Sequence, residues 1–505
     1  MGHGLWELVD VSTRRLAAIA LSAAIAAALP GCTVGPDFQR PDAPNTTRYT
    51  ETPMPAETAS VPGIAGATQR FRSGDLPAQW WSLYRSEPLD RLVREALAGS
   101  PTLAAARATL REAQENLAAR TGALVYPAVN ADASATRQKL SNAAFSQPGT
   151  EIFNLYNASI NVSYMLDIFG GNRRQLEGLE ALVDYQNYQL EGAHLALTSN
   201  IVTAAISEAS LRGQLQATHD ILAAEQEVVR RVQRQYELGG VARLDLVAVQ
   251  SQAAQTAAII PPLETSLAQA RHLLAVLTGK VPSEASVPEF TLDTLHLPEE
   301  IPVSLPSELV RQRPDIQASE ALLHQASAQI GVATANLYPQ VTLTGSFGGQ
   351  TNQLHNLFAG PSIWSLAAGA LQPIFRGGEL QAERRAAIAA FDAAQSQYQD
   401  TVLQAFRNVA DALRALENDA RTVKAQAEAE ALARDRLDLT RKQFELGGTS
   451  YLALLDAQRQ YSLARVALVR VQSTRYADTA ALFQALGGGW WNREQAASAA
   501  STKTN

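Results

Sequence analysis

The sequence predicts an α+β fold: long coiled-coil α-helices joined to a transmembrane β-barrel, with four strands from each chain and two tandem structural repeats. Three observations point there. The chain matches itself at a nearly constant shift, four short segments alternate polar and apolar residues, and two long stretches contain no proline.

The self-match comes first, because a repeat dictates how everything else is read. Gln235-Tyr236-Glu237-Leu238-Gly239-Gly240 returns as Gln443-Phe444-Glu445-Leu446-Gly447-Gly448, a shift of 208 (443 minus 235). Leu244, Leu246, Gln250 and Gln252 continue as Leu452, Leu454, Gln458 and Gln460. Upstream, Tyr126-Pro127 corresponds to Tyr338-Pro339, and Ile168-Phe169-Gly170-Gly171 to Ile374-Phe375-Arg376-Gly377-Gly378. Each repeat has one grammar: a helix ending at Tyr-Pro, two alternating segments, a very long helix, a Gly-Gly turn and a returning helix.

The alternating segments are the membrane signal. Asn130, Asp132, Ser134 and Thr136 alternate with Val129, Ala131, Ala133 and Ala135. Asn157, Ser159, Asn161 and Ser163 alternate with Tyr156, Ala158, Ile160, Val162 and Tyr164. Gln340, Thr342, Thr344 and Ser346 alternate with Val341, Leu343, Gly345 and Phe347, and a less regular segment spans Ile363 to Leu371. Period two gives a strand with one apolar and one polar face. A length of about 9–11 residues suits a tilted bilayer crossing. A half-buried hairpin of a soluble protein would show the same pattern. Four strands cannot close a barrel, and an open edge in lipid leaves backbone groups unpaired. Two copies of the chain would supply eight strands and three would supply twelve.

Proline is absent between Pro148 and Pro261 and again after Pro373. Residues 172–237 can therefore run as one helix of about 100 Å at 1.5 Å per residue. Leu215, Leu222, Val229 and Tyr236 lie seven apart. So do Val402, Val409, Leu416 and Val423, continued by Leu437 and Phe444 and interrupted by Glu430, with Phe406, Leu413, Ala420 and Ala427 as companions. Apolar residues every 3.5 positions specify a left-handed coiled coil. Pro261 and Pro262 are expected to break or kink the first returning helix. The Gly-Gly pairs permit a left-handed cap and an immediate reversal.

The amino terminus carries Arg14-Arg15, the apolar run Leu16 to Leu29, then Pro30-Gly31-Cys32. This reads as a secretory signal, too short to span a membrane. Cys32 is the single cysteine of the chain. It resembles the lipidated cysteine of a bacterial lipobox; the alternative is a plain signal with an incidental cysteine. Thr33 follows, where an inner-membrane retention signal would usually have Asp.

Taken together, Cys32-Thr33-Val34-Gly35-Pro36-Asp37-Phe38 with Arg40-Pro41, Arg313-Pro314-Asp315-Ile316, Ala335-Asn336-Leu337-Tyr338-Pro339, Tyr451 to Gln458 and Ala485-Leu486-Gly487-Gly488-Gly489-Trp490 resemble the TolC-type outer-membrane factors. Within them they are similar to the OprM- and NodT-like lipoprotein branch. The resemblance implies a homotrimer with a shared twelve-stranded barrel and a periplasmic helical tunnel with an equatorial collar. It implies a periplasmic membrane-fusion adaptor and an inner-membrane pump, often of the resistance-nodulation-division type, as partners, and outer-membrane lipid around the barrel. It further implies that the turns Leu238-Gly239-Gly240-Val241 and Leu446-Gly447-Gly448-Thr449 meet the adaptor. Leu452, Asp456 and Arg459 match the positions that line a closed periplasmic entrance. Thr449 stands where a tip-locking arginine of TolC would be, whereas Asp245 matches the acidic partner of that lock. Asp456 also reads, by itself, as a solvated carboxylate near a helix start, favoured by the macrodipole.

The expected organisation is a lipoprotein signal at 1–31, an extended and equatorial segment at 32–99, the first repeat at 100–280, a Pro-rich connector at 281–312, the second repeat at 313–490 and a flexible tail at 491–505. The expected function is an exit duct for efflux of drugs or other small molecules. A polypeptide-secretion duct and an envelope coiled-coil scaffold are the alternatives. Net charge is −7, with both signs interspersed, so no nucleic-acid partner is expected. The seven histidines show no metal-ligand spacing, and no nucleophile elbow or phosphate loop occurs, so neither an enzyme nor a cofactor is expected. His194 and His324 read as surface or packing residues.

Overall fold

A computed structural model describes residues 33–62, 66–141 and 150–493. The signal segment, Cys32 and residues 494–505 lie outside the described residues. The elements, in chain order, are β1 (Arg70–Ser73), α1 (Glu87–Gly99), α2 (Pro101–Val125), β2 (Ala128–Ser141), β3 (Thr150–Leu166), α3 (Gly171–Glu237) and α4 (Arg243–Leu277). Then follow β4 (Glu300–Val303), α5 (Pro306–Gln312), α6 (Pro314–Ala335), β5 (Gln340–Thr351), β6 (Ser362–Leu371), α7 (Glu379–Glu445) and α8 (Tyr451–Ala485). The succession helix, two strands, 67-residue helix, 35-residue helix occurs from α2 to α4 and again from α6 to α8.

The chain divides into two compact units. One comprises the described residues of Met1–Arg40, Leu110–Gln186 and Ser319–Tyr398. It holds an antiparallel sheet of order β2-β3-β5-β6. The register sets Val129 opposite Val162, Ile160 opposite Phe347 and Phe347 opposite Trp364. Because neighbours in register share a face, Val129, Ile160, Val162, Leu343, Phe347, Trp364 and Leu366 form one apolar surface, and all are exposed in the single chain. The other face is polar: Asp132 accepts from Asn161 at 2.5 Å, and Ser346 and Ser365 hydrogen-bond at 2.9 Å. The irregular fourth segment thus becomes regular once Trp364, Leu366, Ala368 and Ala370 are set against β5.

In the same unit, Arg174 near the start of α3 gathers the segment after Cys32. Its guanidinium donates to Asp37 at 2.6 Å, Glu177 at 2.8 Å, the Val34 carbonyl at 3.3 Å and the Gly35 carbonyl at 3.5 Å. The Val34 amide donates to the Phe169 carbonyl at 3.1 Å. A Cβ on Gly331 would fall 2.6 Å from the Arg174 side chain, so α6 needs glycine there. His324 bonds Glu177 at 3.0 Å and stacks on Phe38 at 4.3 Å, a packing role.

The other unit comprises Pro41–Thr109, Asn187–Ala318 and the described residues of Gln399–Asn505. Trp80, Tyr84, Tyr476 and Phe483 are fully buried in its core. Here β1 pairs in parallel with β4, a contact between Arg70–Ser73 and the Pro-rich connector that the sequence reading did not anticipate. Four residues, with two arginines flanking one Phe, give too short a pattern to detect.

Two expectations about the helices need correction. Helix α4 continues through Pro261 and Pro262, so of the expected break or kink the break does not occur. Both are exposed in the single chain, so water can hydrate the carbonyls that lose their donors. The seam of α3 is also displaced. Over residues 211–237 its buried positions are Gln214, Ala217, Thr218, Ile221, Glu225 and Val232, whereas Leu215, Leu222 and Val229 are half-buried and Tyr236 is exposed. Polar residues on the buried face hid its register. In α7 the seam is the one read from sequence: Val402, Val409, Leu416, Ala420, Val423 and Leu437 are buried, and Glu430 is tolerated because Arg434 bonds it at 2.6 Å.

Candidate functional site

The turns at the far ends of α3 and α7 have the same backbone. Gly239 has φ +75° and Gly447 φ +73°, the left-handed region. The Gly239 and Gly240 amides donate to the Tyr236 and Gln235 carbonyls at 3.0 and 2.8 Å. Gly447 and Gly448 do the same toward Phe444 and Gln443, at the same distances. These paired bonds form a Schellman ending, which satisfies the last carbonyls and reverses the chain. A Cβ on Gly239 or Gly447 would meet nothing within 4 Å, so glycine is required by φ and not by crowding. Leu238 and Leu446 project beside them, each 87% exposed.

The returning helices start differently. Asp245 accepts from the Ala242 amide at 3.2 Å, capping the first turn of α4. Ser450 caps α8 by accepting from the Ala453 amide at 3.3 Å. Asp245 is thus engaged within its own helix start, and Thr449 is half-buried in the other turn. Below the turns, Val232, Leu246, Val249, Leu437, Tyr451, Leu454 and Ala457 form one apolar cluster, against which Val241 and Phe444 pack. The two hairpins are joined there. A cavity of about 490 Å³ opens beside the cluster, lined among others by Arg231, Gln235, Arg441, Phe444, Glu445 and Tyr451.

Leu452, Asp456 and Arg459 lie on the first turns of α8, at spacings of four and three, so they share one face. Leu452 is 73% exposed. The Asp456 carboxylate is 3.7 Å from the Arg459 guanidinium and 2.7 Å from that of Arg436, on α7. Arg436 was missed in the sequence. The signal was available: it stands ten residues before Leu446 (446 minus 436), and Asp456 ten after it (456 minus 446), as facing residues of an antiparallel hairpin do. Among the described residues, no group of three or more His, Cys, Asp or Glu could hold a metal ion. No helix among them is long and apolar enough to cross a membrane.

Residues 92–280 and 305–488 match the outer membrane efflux protein family. This chain belongs to that family. The chain is 30% identical over 460 residues to the pyoverdine export outer membrane protein OpmQ of Pseudomonas aeruginosa, covering 88% of this chain and 94% of that protein. It is 29% identical over 500 residues to the toluene efflux pump outer membrane protein TtgC of Pseudomonas putida, covering 97% and 99%. The fold superposes on the outer-membrane channel OprN with a TM-score of 0.82 and 27% identity, over 91% of this chain and all of that one. The protein is an outer-membrane efflux channel, working in an efflux pump with its helical part in the periplasm. The family is one of channels and not of enzymes.

Proposed function

We propose that three copies of this chain close one twelve-stranded barrel and one coiled-coil tunnel, forming the exit duct of a tripartite pump that exports small molecules. The observation that carries this is the sheet β2-β3-β5-β6, with one continuous apolar face and an unpaired edge on each side. In lipid each open edge would leave a row of backbone groups unsatisfied, at several kcal/mol apiece. Pairing β6 of one copy with β2 of the next removes every edge in a cyclic assembly. Trimers are expected in mild detergent. Single-cysteine variants at Ile160 and Ser159 should differ in reactivity, because the first faces lipid and the second water. A stable monomer, or equal labelling of both faces, would refute the reading.

Cys32 is the lipid anchor in this proposal. Val34 is held to Phe169, which follows β3, and Arg174 binds Gly35 and Asp37. Val34 and Gly35 therefore lie at the end of the sheet where the long helix begins, a suitable level for an anchor in the adjacent leaflet. The turns Gly239-Gly240-Val241 and Gly447-Gly448-Thr449 meet the periplasmic adaptor, and an inner-membrane pump of the resistance-nodulation-division type loads the duct. Leu452, Asp456 and Arg459 line its resting entrance, with Asp245 helping to hold the first turn. The relatives are named for export of pyoverdine and efflux of toluene. A wide duct that does not itself select cargo accounts for such a range.

A further inference from the structure

Beneath the turns, a buried carboxylate of α3 meets α4, close enough to α8 for its charge to act on Tyr451. Glu225 of α3 is 3% exposed. Its Oε1 accepts from Gln252 Nε2 of α4 at 3.1 Å. Its Oε2 is enclosed and has no hydrogen-bond partner among the described residues. Tyr451 in the first turn of α8 is 9% exposed and packs edge-on against Phe444 at 5.3 Å. The Tyr451 hydroxyl is also enclosed and unpartnered, as is Oε1 of the buried Gln458 two turns further on. Tyr451 belongs to the apolar cluster that joins the hairpins, and Val232, seven residues beyond Glu225, belongs to it too.

The groups facing this site are few. Burial raises the pKa of Glu225, outweighing Thr256 and Gln252 of α4, whose side chains favour the ionised form. Among the described residues, no cation is among the groups acting on Glu225. Tyr451 is held neutral, first by burial and then by the charge of Glu225; Arg231 opposes this and Asp245 adds to it. An ionised carboxylate with one oxygen facing neither water nor a donor is costly, more so than a neutral unsatisfied group. Protonation removes that cost. It also turns the orphaned acceptor of Glu225 into a donor.

We infer that Glu225 is a proton-binding site that fastens the two hairpins below their turns, carrying a proton while α3, α4 and α8 stay packed and releasing it to water when they part. A carboxyl whose pKa is raised in the packed state and ordinary when hydrated ties proton uptake to packing. The stabilisation is complete below the ordinary glutamate range and is lost as pH rises through the raised value. Acid therefore holds the hairpins together and alkali loosens them. The effect on conduction rests on the proposed entrance; the effect on packing does not.

Spin labels at Leu238→Cys and Leu446→Cys, one on each exposed turn, report the packing directly in trimers reconstituted in nanodiscs. From about pH 5 to about pH 9 the wild-type distance distribution should broaden and lengthen, while Glu225→Gln should stay narrow throughout. Thr256→Val, which removes a group favouring the carboxylate, should move the transition to higher pH. An unchanging wild-type distribution, a Glu225→Gln variant that broadens like wild type, or a Thr256→Val transition at the wild-type pH would each overturn the inference. Conductance in planar bilayers is read in parallel. Distances that respond while conductance does not would leave the proton site standing and refute the entrance reading.

Discussion

Arg436 and Asp456 face each other across the second hairpin, guanidinium nitrogen to carboxylate oxygen at 2.7 Å, with Arg459 on the other carboxylate oxygen at 3.7 Å. All three side chains are at least 40% exposed, so the Arg436 pair should contribute at most about 1 kcal/mol to stability. Its effect on the field is larger. Two guanidinium groups around one carboxylate mask a charge that would otherwise draw cations to the proposed entrance. Arg436→Ala should leave trimer melting nearly unchanged and increase block by divalent cations several-fold in planar bilayers. Asp456→Ala should weaken that block. Unchanged block in both variants would remove these residues from the conduction path.

How far the sequence could be read follows from which residues carry a period. Val409, Leu416 and Val423 are apolar, so the α7 seam was legible. The α3 seam runs through Gln214, Thr218 and Glu225, which a hydrophobic pattern cannot register, and the reading slid to Leu215 and Leu222. The strand β3 was legible because Ile160 and Val162 alternate with Ser159 and Asn161. In β6, Ile363 and Leu371 sit on the polar side of the register, and only pairing with β5 reveals the face of Trp364 and Leu366. Arg436 escaped because its partner is twenty residues away (456 minus 436) and the resemblance placed entrance residues on only one helix of the hairpin. Glu225 escaped, and Tyr451 entered only as part of a family motif, because burial of a polar atom has no local signature.

The sheet makes a depth-dependent prediction. Ile160→Arg or Phe347→Arg places a charge on the apolar face and should cost about 2–4 kcal/mol if the site lies near the bilayer midplane. Ser159→Arg and Ser346→Arg, on the polar face, should be far milder. Heat stability of trimers extracted from membranes measures the difference, and equal losses on both faces would contradict the assigned orientation.

Cleavage before Cys32 and acylation of its amine and thiol are expected. Mass spectrometry of the mature amino terminus checks this. Cys32→Ser should release the chain from acylation while leaving assembly to the barrel, whose edge pairing does not involve that residue. An unmodified Cys32 in wild-type protein would contradict the anchor.

The turns allow conformation and contact to be separated. Gly239→Val and Gly447→Val force a β-branched residue to φ near +75°, at about 1–2 kcal/mol of backbone strain each. Val241→Arg and Thr449→Arg impose no such strain. Both pairs should leave trimers in the membrane and reduce efflux at least several-fold, measured as drug accumulation in cells supplied with the adaptor and pump. Full activity in the arginine variants would locate the adaptor contact elsewhere.

A carboxyl pair in α7 and α8 sets a pH dependence of stability distinct from that of Glu225. Asp419 is pushed up to about 7, first by burial and then by the hydrogen bond and charge of Asp478, with Arg475 opposing. Arg475 is itself buried, its guanidinium bonded to Thr58 at 2.9 Å, the Ala67 carbonyl at 2.8 Å and Gln69 at 3.2 Å, so it cannot turn wholly toward the pair. A folded-state value above the unfolded one means that the native state holds the proton more tightly. The resulting stability is complete below the ordinary aspartate pKa and is lost as pH climbs to about 7. Asp419→Asn keeps the neutral shape at every pH. It should therefore gain on wild type between about pH 5 and about pH 8, by roughly 2 kcal/mol at most, seen as a widening gap in trimer melting temperature. Melting curves that run parallel over that range would mean that the pair does not hold a shared proton in the folded chain.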